Sequence, residues 1–336
     1  MNDVSSKTHP GSGVIRLLSR PGSRALLALA LILAVGAVFN ADGTFFRWET
    51  HRDMLRHISR FGILACGMTL VIISGGIDLA VGSILGLTAV VSALMMIHWQ
   101  WHPLLAVPIC LLIGAAGGAV SGGLIARFRI QPFIATLAMM VFARGAAKYI
   151  SGGRKIAQGV QTQSGFEFLP LPSFFELLNA KILMDNVAVV TLVFLGCLAV
   201  SWIVLERIRV GRHLYAIGGN ETAARLSGVP VSRAKVFAYA MSGLFAAVAG
   251  ICQAAQETQG DPEAGISYEL TAIAIVVIGG TSLSGGRGGM ILTLLGTLTI
   301  GYLEKILSIN AVSEAGRLML TGAIIVSAVL FQRGRR

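Results

Sequence analysis

The sequence predicts an all-α polytopic membrane protein of about ten transmembrane helices with two glycine-rich breaks. Three observations predict it. Of 336 residues, 54% are hydrophobic and only 13% are charged, about half the charged share of an ordinary soluble domain. The apolar residues come in long blocks, and blocks of about 20 residues match a hydrocarbon core roughly 30 Å thick. These runs lack the alternation of a membrane barrel, so they are read as helices, whose backbone groups are satisfied within the segment.

The blocks fall at roughly 25–41, 61–76, 82–97, 104–125, 132–150, 186–204, 235–255, 270–280, 289–303 and 316–331. Two pairs of them run together. Phe61 to Ile97 carries a single charge, Asp78, and as one helix would be about 55 Å long. Leu270 to Leu303 would be about 51 Å on the same rise per residue. Each must break inside, and the breaks are GGIDLAVG at 75–82 and GGTSLSGGRGG at 279–289. Aligning Gly75-Gly76 with Gly279-Gly280 sets Leu79 opposite Leu283 and Gly82 opposite Gly286, an internal pseudo-repeat offset by 204 residues. Paired glycine interruptions in two halves point to a transport pathway. Gly75, Gly76, Asp78, Gly82, Gly279, Gly280, Ser282, Gly285 and Gly286 are therefore the candidate pathway or gate residues. The plainer alternative is two glycine turns that are alike by chance.

A lone carboxylate facing lipid costs on the order of 3 kcal/mol. Asp78 is therefore placed as the N-cap of the helix that resumes after the first break. There the orphan N–H groups and the positive end of the helix dipole compensate it. A direct role in the pathway is compatible with capping. Ser282 is read as the neutral cap at the equivalent place in the second break.

Lys and Arg number 16 on the side of the N-terminus against 11 on the other, which puts both termini in the cytoplasm. Arg47, Arg52, Arg56 and Arg60 count against that orientation, and their segment is read as an interfacial helix on the outer face. The run that follows Arg16, Arg20 and Arg24 is expected to be an uncleaved first span, not a signal peptide. The chain then divides into a cytoplasmic tail at 1–24, one transmembrane domain at 25–331 and a tail at 332–336. The longest cytoplasmic loop is 205–233. Within it Asn220 is a good N-cap, Glu221 suits the first turn, and Gly228 with Pro230 stops the helix. The expected two-turn helix, about 221–227, presents Ala223, Ala224 and Ser227 as a small-residue face for another protein; a purely structural loop helix is the alternative.

Several functions are excluded. The net charge of +11 comes from basic residues at block ends, as the positive-inside rule requires, and no nucleic-acid partner is expected. Cys66, Cys110, Cys197 and Cys252 each sit alone in an apolar block and are read as packing residues. No phosphate loop, zinc-protease motif or nucleophile elbow occurs. His98 and His102 lie in HWQWHP, a membrane-surface aromatic belt more than a metal site. No cofactor or metal is expected. Acidic residues other than Asp78 avoid the span centres, which argues against a proton- or sodium-driven secondary transporter. An intramembrane enzyme would need a catalytic pair, and none is found.

Four motifs carry a family resemblance: GGIDLAVGS; IQPFIATLAMMVFARG at 130–145; VGRHLYAIGGNETAARLSGVPVSRAKVFAYAMSGLFAAVAG at 210–250; and IGGTSLSGGRGG at 278–289. Together they resemble the permease subunit of bacterial ABC importers for monosaccharides of the ribose, xylose and arabinose type, from about residue 55 to the C-terminus. The resemblance implies the ABC importer permease fold in a bacterial inner membrane, working as a pair with a second permease copy, identical or paralogous. It implies a periplasmic sugar-binding protein on one side and a cytoplasmic ATPase on the other. Gly219, Asn220, Glu221, Ala223, Ala224, Arg225, Ser227 and Gly228 match the family's ATPase-coupling region. The chain departs from the family pattern at Ala80, Ala138 and Gln131. Within such permeases, a furanosyl signalling molecule, a nucleoside or a branched-chain amino acid is the alternative cargo.

Overall fold

The computed structural model describes residues 21–162 and 165–333. The helices are α1 (Pro21–Val38), α2 (Trp48–Ile73), α3 (Val81–Ala93), α4 (Pro103–Phe128), α5 (Pro132–Ser151), α6 (Ser173–Asn179), α7 (Val189–Glu206), α8 (Arg209–Gly219), α9 (Glu221–Leu226), α10 (Val231–Glu257), α11 (Tyr268–Gly279), α12 (Met290–Ile309) and α13 (Glu314–Arg333). A π-helical turn, Leu94–His98, prolongs α3. Two small antiparallel hairpins, β1 (Gly159–Thr162) with β2 (Gly165–Phe168) and β3 (Lys181–Ile182) with β4 (Val187–Ala188), lie between α5 and α7.

Each predicted apolar block has a helix, and both breaks are present. Among the described residues, seven helices are long and apolar enough to cross a membrane: α2, α3 with its π turn, α4, α5, α7, α10 and α12. That is fewer than the ten expected. At 12 residues, α11 is about 18 Å long, too short to cross alone. The tail expected at 1–24 lies outside the described residues as far as 20, and Pro21 to Arg24 already belong to α1. At the other end α13 runs to Arg333, and the rest of that tail lies outside the described residues.

The arginine segment is not a separate interfacial helix. Arg52, Arg56 and Arg60 lie in α2, continuous with its apolar part. Their compensation comes from distant residues. Arg52 donates to the Asp185 carbonyl at 2.8 Å, and Arg56 donates to the Asn179 side chain. Arg60, almost fully buried, donates to Gln253 of α10 and lies 3.8 Å from Glu257. A charge with such partners can enter a bundle interior. Other acidic residues enter helices away from their centres, Glu269 in the first turn of α11 and Glu304 towards the end of α12.

Small residues set how the helices meet. Gly114, Gly118 and Gly122 recur every four residues on α4, and a methyl on Gly118 would fall on the Tyr239 carbonyl of α10. Gly243 of α10 presses back on Gly114 in the same way. Without a hydrophobic force between helices in lipid, such close backbone approach is what holds them. The helix α3 is buried along its whole length, with Gly250 of α10 against its Leu85 and Thr88.

Two non-helical stretches, 74–80 and 258–267, pack against this bundle. Buried non-helical backbone must have its hydrogen-bond partners supplied by protein or water. For the second stretch Arg144 of α5 does this, donating to the Ala264 carbonyl at 2.7 Å and to Pro262 at 2.5 Å. The loop then lies against α3, with Gly265 (φ 78) on Gly82 and Gly260 on Ala89 and Val90. Lys155–Asp261 and Lys148–Glu263 ion pairs, at 3.0 and 3.1 Å, hold its entry.

Candidate functional site

Both breaks open with one device. After α2, the Gly75 N–H donates to Ile72 O at 2.9 Å and the Gly76 N–H to Val71 O at 3.1 Å. After α11, Gly280 donates to Val277 O at 2.9 Å and Thr281 to Val276 O at 3.1 Å. Gly75 (φ 82) and Gly280 (φ 103) are both left-handed, the glycine cap that ends a helix and satisfies its last carbonyls. The equivalence is therefore Gly75 with Gly280, an offset of 205 and not 204. Gly279 is still helical and packs on the Leu292 carbonyl of α12, so the glycine pairs align one residue out of register. Asp78 then falls opposite Leu283, and Ser282 is not its counterpart.

Neither residue is a helix cap. The helix α3 begins at Val81 with Ala80 in the cap position, and α12 begins at Met290 after Gly289. Asp78 is fully buried, and its Oδ1 accepts the Ala80 N–H at 3.0 Å. Its other oxygen has no hydrogen-bond partner among the described residues; the Ser242 hydroxyl of α10 approaches the carboxyl without hydrogen-bond geometry. Ser282 instead closes a turn, its carbonyl accepting the Gly285 N–H at 3.0 Å and its N–H donating to Arg287 O at 2.9 Å. Gly76 lies under Tyr239 of α10, whose hydroxyl donates to Ile77 O at 3.4 Å.

The main finding is where the breaks meet. A methyl on Gly285 would lie 2.9 Å from the Gly218 Cα and 3.0 Å from the Gly75 Cα. One on Gly286 would lie 2.9 Å from the Gly219 nitrogen, and one on Gly218 would fall on the Ile73 carbonyl oxygen. That same oxygen accepts the Gly286 N–H at 2.9 Å. Tyr215 of α8 adds a bond to the Gly288 carbonyl at 3.0 Å. Three chain segments thus touch backbone to backbone: the first break, the second break, and the α8–α9 corner of the 205–233 loop. Gly75, Gly285 and Gly286 belong to this junction. Gly82 does not, since it packs on Gly265 of the 258–267 loop and beside Glu269 of α11. Sequence reasoning passed over Gly218, although AIGGN at 216–220 has the same glycine pair as VIGGT and IISGG.

The 205–233 region is two helices, not a loop with one. The amphipathic α8 buries Leu214 and Ile217. At its end Asn220 caps α9, its Oδ1 accepting the Ala223 N–H at 2.9 Å, and Gly228 (φ 79) follows the helix. Glu221 accepts from Arg225 at 2.8 Å and from Lys235 of α10 at 2.6 Å. Burial pushes its carboxyl up, but these two cations outweigh it and hold the carboxyl below its usual range. Ala223 and Ser227 are exposed, whereas Ala224 is only 6% exposed and faces its own chain. The residue that stands out from α9 is Leu226, 86% exposed. His98 bonds the Ala157 carbonyl at 3.0 Å, and His102 caps α4 through the Leu104 N–H at 3.3 Å.

A family described as "branched-chain amino acid transport system / permease component" matches residues 52–329. The chain belongs to this permease family. It is 38% identical over 309 residues to the ribose import permease protein RbsC of Haemophilus influenzae, with 91% of each chain covered. It is 39% identical to RbsC of Bacillus subtilis, again over 91% of each. To the L-arabinose transport system permease protein AraH of Escherichia coli it is 37% identical, over 92% of this chain and 89% of the relative. No solved structure matches. The resemblance read from the four motifs therefore holds, and the permease is an α-helical, multi-pass membrane protein.

Proposed function

We propose that the chain is the permease subunit of an ATP-binding cassette importer that moves a ribose-type monosaccharide from periplasm to cytoplasm, energised by a separate ATPase. The observation that carries this reading is its identity to ribose import permeases along nine-tenths of its length. A sugar is uncharged, so its route needs few charges. On this reading 25–331 is one transmembrane domain with ten membrane segments, α11 being a partial one. Both termini are cytoplasmic, and a second permease copy completes the route. A periplasmic sugar-binding protein delivers the cargo. The ATPase meets the exposed face of α9 at Ala223, Leu226 and Ser227. The corner at Gly218 would then pass its movement to both glycine breaks, rocking the permease between inward and outward states.

The test is uptake of labelled ribose into proteoliposomes that hold the chain, its ATPase and its binding protein. ATP-dependent accumulation is expected, with none when the ATPase is left out and no ATP turnover by the isolated chain. Uptake without the ATPase would refute the reading. Uptake of a branched-chain amino acid, which the family description names, or of a nucleoside or furanosyl signalling molecule would keep the class and overturn the cargo.

A further inference from the structure

The α4–α5 turn and the α9–α10 corner line an open cleft of about 270 Å³, which includes Glu221 and Arg225 of the coupling region. Its polar lining is Arg129, Gln131, Glu221, Arg225 and Lys235. That is three cations against one carboxylate, a surplus of two positive charges. Glu221 binds two of the cations and so fixes their positions. Arg129 has no hydrogen bond or ion pair to any described residue. It also stands in the left-handed region (φ 56) at the end of α4, a conformation that glycine or asparagine takes at less cost.

The depth of the cleft narrows what fills it. Pro132 opens α5, and Lys235 is five residues into α10, so the cleft lies at the ends of two membrane helices, at headgroup level. Beside it Phe128, Phe133 and Ile134 are exposed, the surface that acyl chains would cover. The face of α9 assigned to the ATPase points elsewhere. At about 100° per residue, Arg225 lies roughly 40° from Glu221 around the helix, whereas Leu226 lies about 140° and Ala223 about 160° away. We propose that the cleft binds the phosphate of an anionic phospholipid, with Arg129 forking two donors to it and Arg225 and Lys235 completing the cradle. Bound there, the lipid ties the α9 corner to the α4–α5 turn.

The experiment uses the full chain purified from mixed phosphatidylcholine and phosphatidylglycerol, with retained phosphatidylglycerol counted by native mass spectrometry. Arg129→Gln should weaken retention roughly fivefold, while Arg127→Gln, which removes an exposed charge outside the cleft, should leave it unchanged. Equal retention in wild type and Arg129→Gln, or equal loss in both variants, would overturn the site. Displacement of the lipid by inorganic phosphate at matched concentration would overturn the lipid as occupant and leave a soluble anion. Should Arg129→Gln lower the stability of the chain in plain detergent, Arg129→Lys decides. Lysine keeps the charge without the fork, so retention between that of wild type and that of Arg129→Gln supports the site, and retention no better than that of Arg129→Gln in a stably folded Arg129→Lys refutes it.

Discussion

Gly218 and Gly219 are chain neighbours at the end of α8, yet alanine should act oppositely at the two. Alanine is favoured over glycine in a helix by about 1 kcal/mol. At Gly219 a methyl meets nothing within 4 Å, so Gly219→Ala should be neutral or stabilising by up to about 1 kcal/mol. At Gly218 the methyl would fall on the Ile73 carbonyl, and backbone has no rotamer with which to yield. Overpacking costs about 1–3 kcal/mol, and displacing the Gly286 N–H from the same carbonyl costs about 1 more. Set against the helix gain, Gly218→Ala should lose about 1–3 kcal/mol and push the α8–α9 corner off both breaks. Thermal unfolding of the purified chain reads the first effect. The ratio of cargo moved to ATP hydrolysed, in proteoliposomes with the partner proteins, reads the second. If the two variants match in both measurements, the three segments are not in backbone contact and the junction is wrong.

Two other substitutions test the buried polar groups. Asp78→Asn keeps an acceptor for the Ala80 N–H and should retain most transport, whereas Asp78→Ala should lose about 1 kcal/mol of stability; normal assembly with no uptake in Asp78→Asn would show that the charge itself is required. Arg144→Gln should cost about 2 kcal/mol or more because carbonyls of the 258–267 loop lose charged donors, and Arg144→Lys should not fully restore it, since an ammonium lacks the planar fork; wild-type thermal stability in Arg144→Gln would remove Arg144 from that role.

What the sequence revealed and what it hid have separate physical causes. The apolar blocks, the two breaks and the α9 cap at Asn220 are local signals, and the structure has each of them. The arginines of α2 misled because their partners lie in residues 179–257, beyond any local window. The repeat slipped by one residue because two adjacent glycines look alike, while only backbone conformation tells Gly279 from Gly280. The face of α9 was half right: Ala223 and Ser227 are exposed, but a six-residue helix has too few positions for composition to show that Ala224 turns inward. The glycine junction joins positions more than 140 residues apart, Gly75 and Gly218, and only the repeated dipeptide hinted at it.

The glycine seams also sort the helices by how they can move. Where α4 crosses α10, and where α10 crosses α2 and α3, backbones touch at Gly118, Gly243, Gly67 and Gly250. A contact made of hydrogens and carbonyls has no rotamers to absorb displacement, so these four helices shift together as one block. A second such seam, Gly296 on Ile275 and Gly279 on Leu292, welds α11 to α12. Between the two blocks the contacts are mixed: the Thr69–Thr293 hydroxyl pair at 2.7 Å, Met54 and Ile58 of α2 against Gly301 of α12, and at the breaks the Gly286 N–H bond to the Ile73 carbonyl at 2.9 Å. Two glycine-seamed plates thus face each other across a border that side chains help to fill, with the α8–α9 corner resting on that border where the two breaks meet.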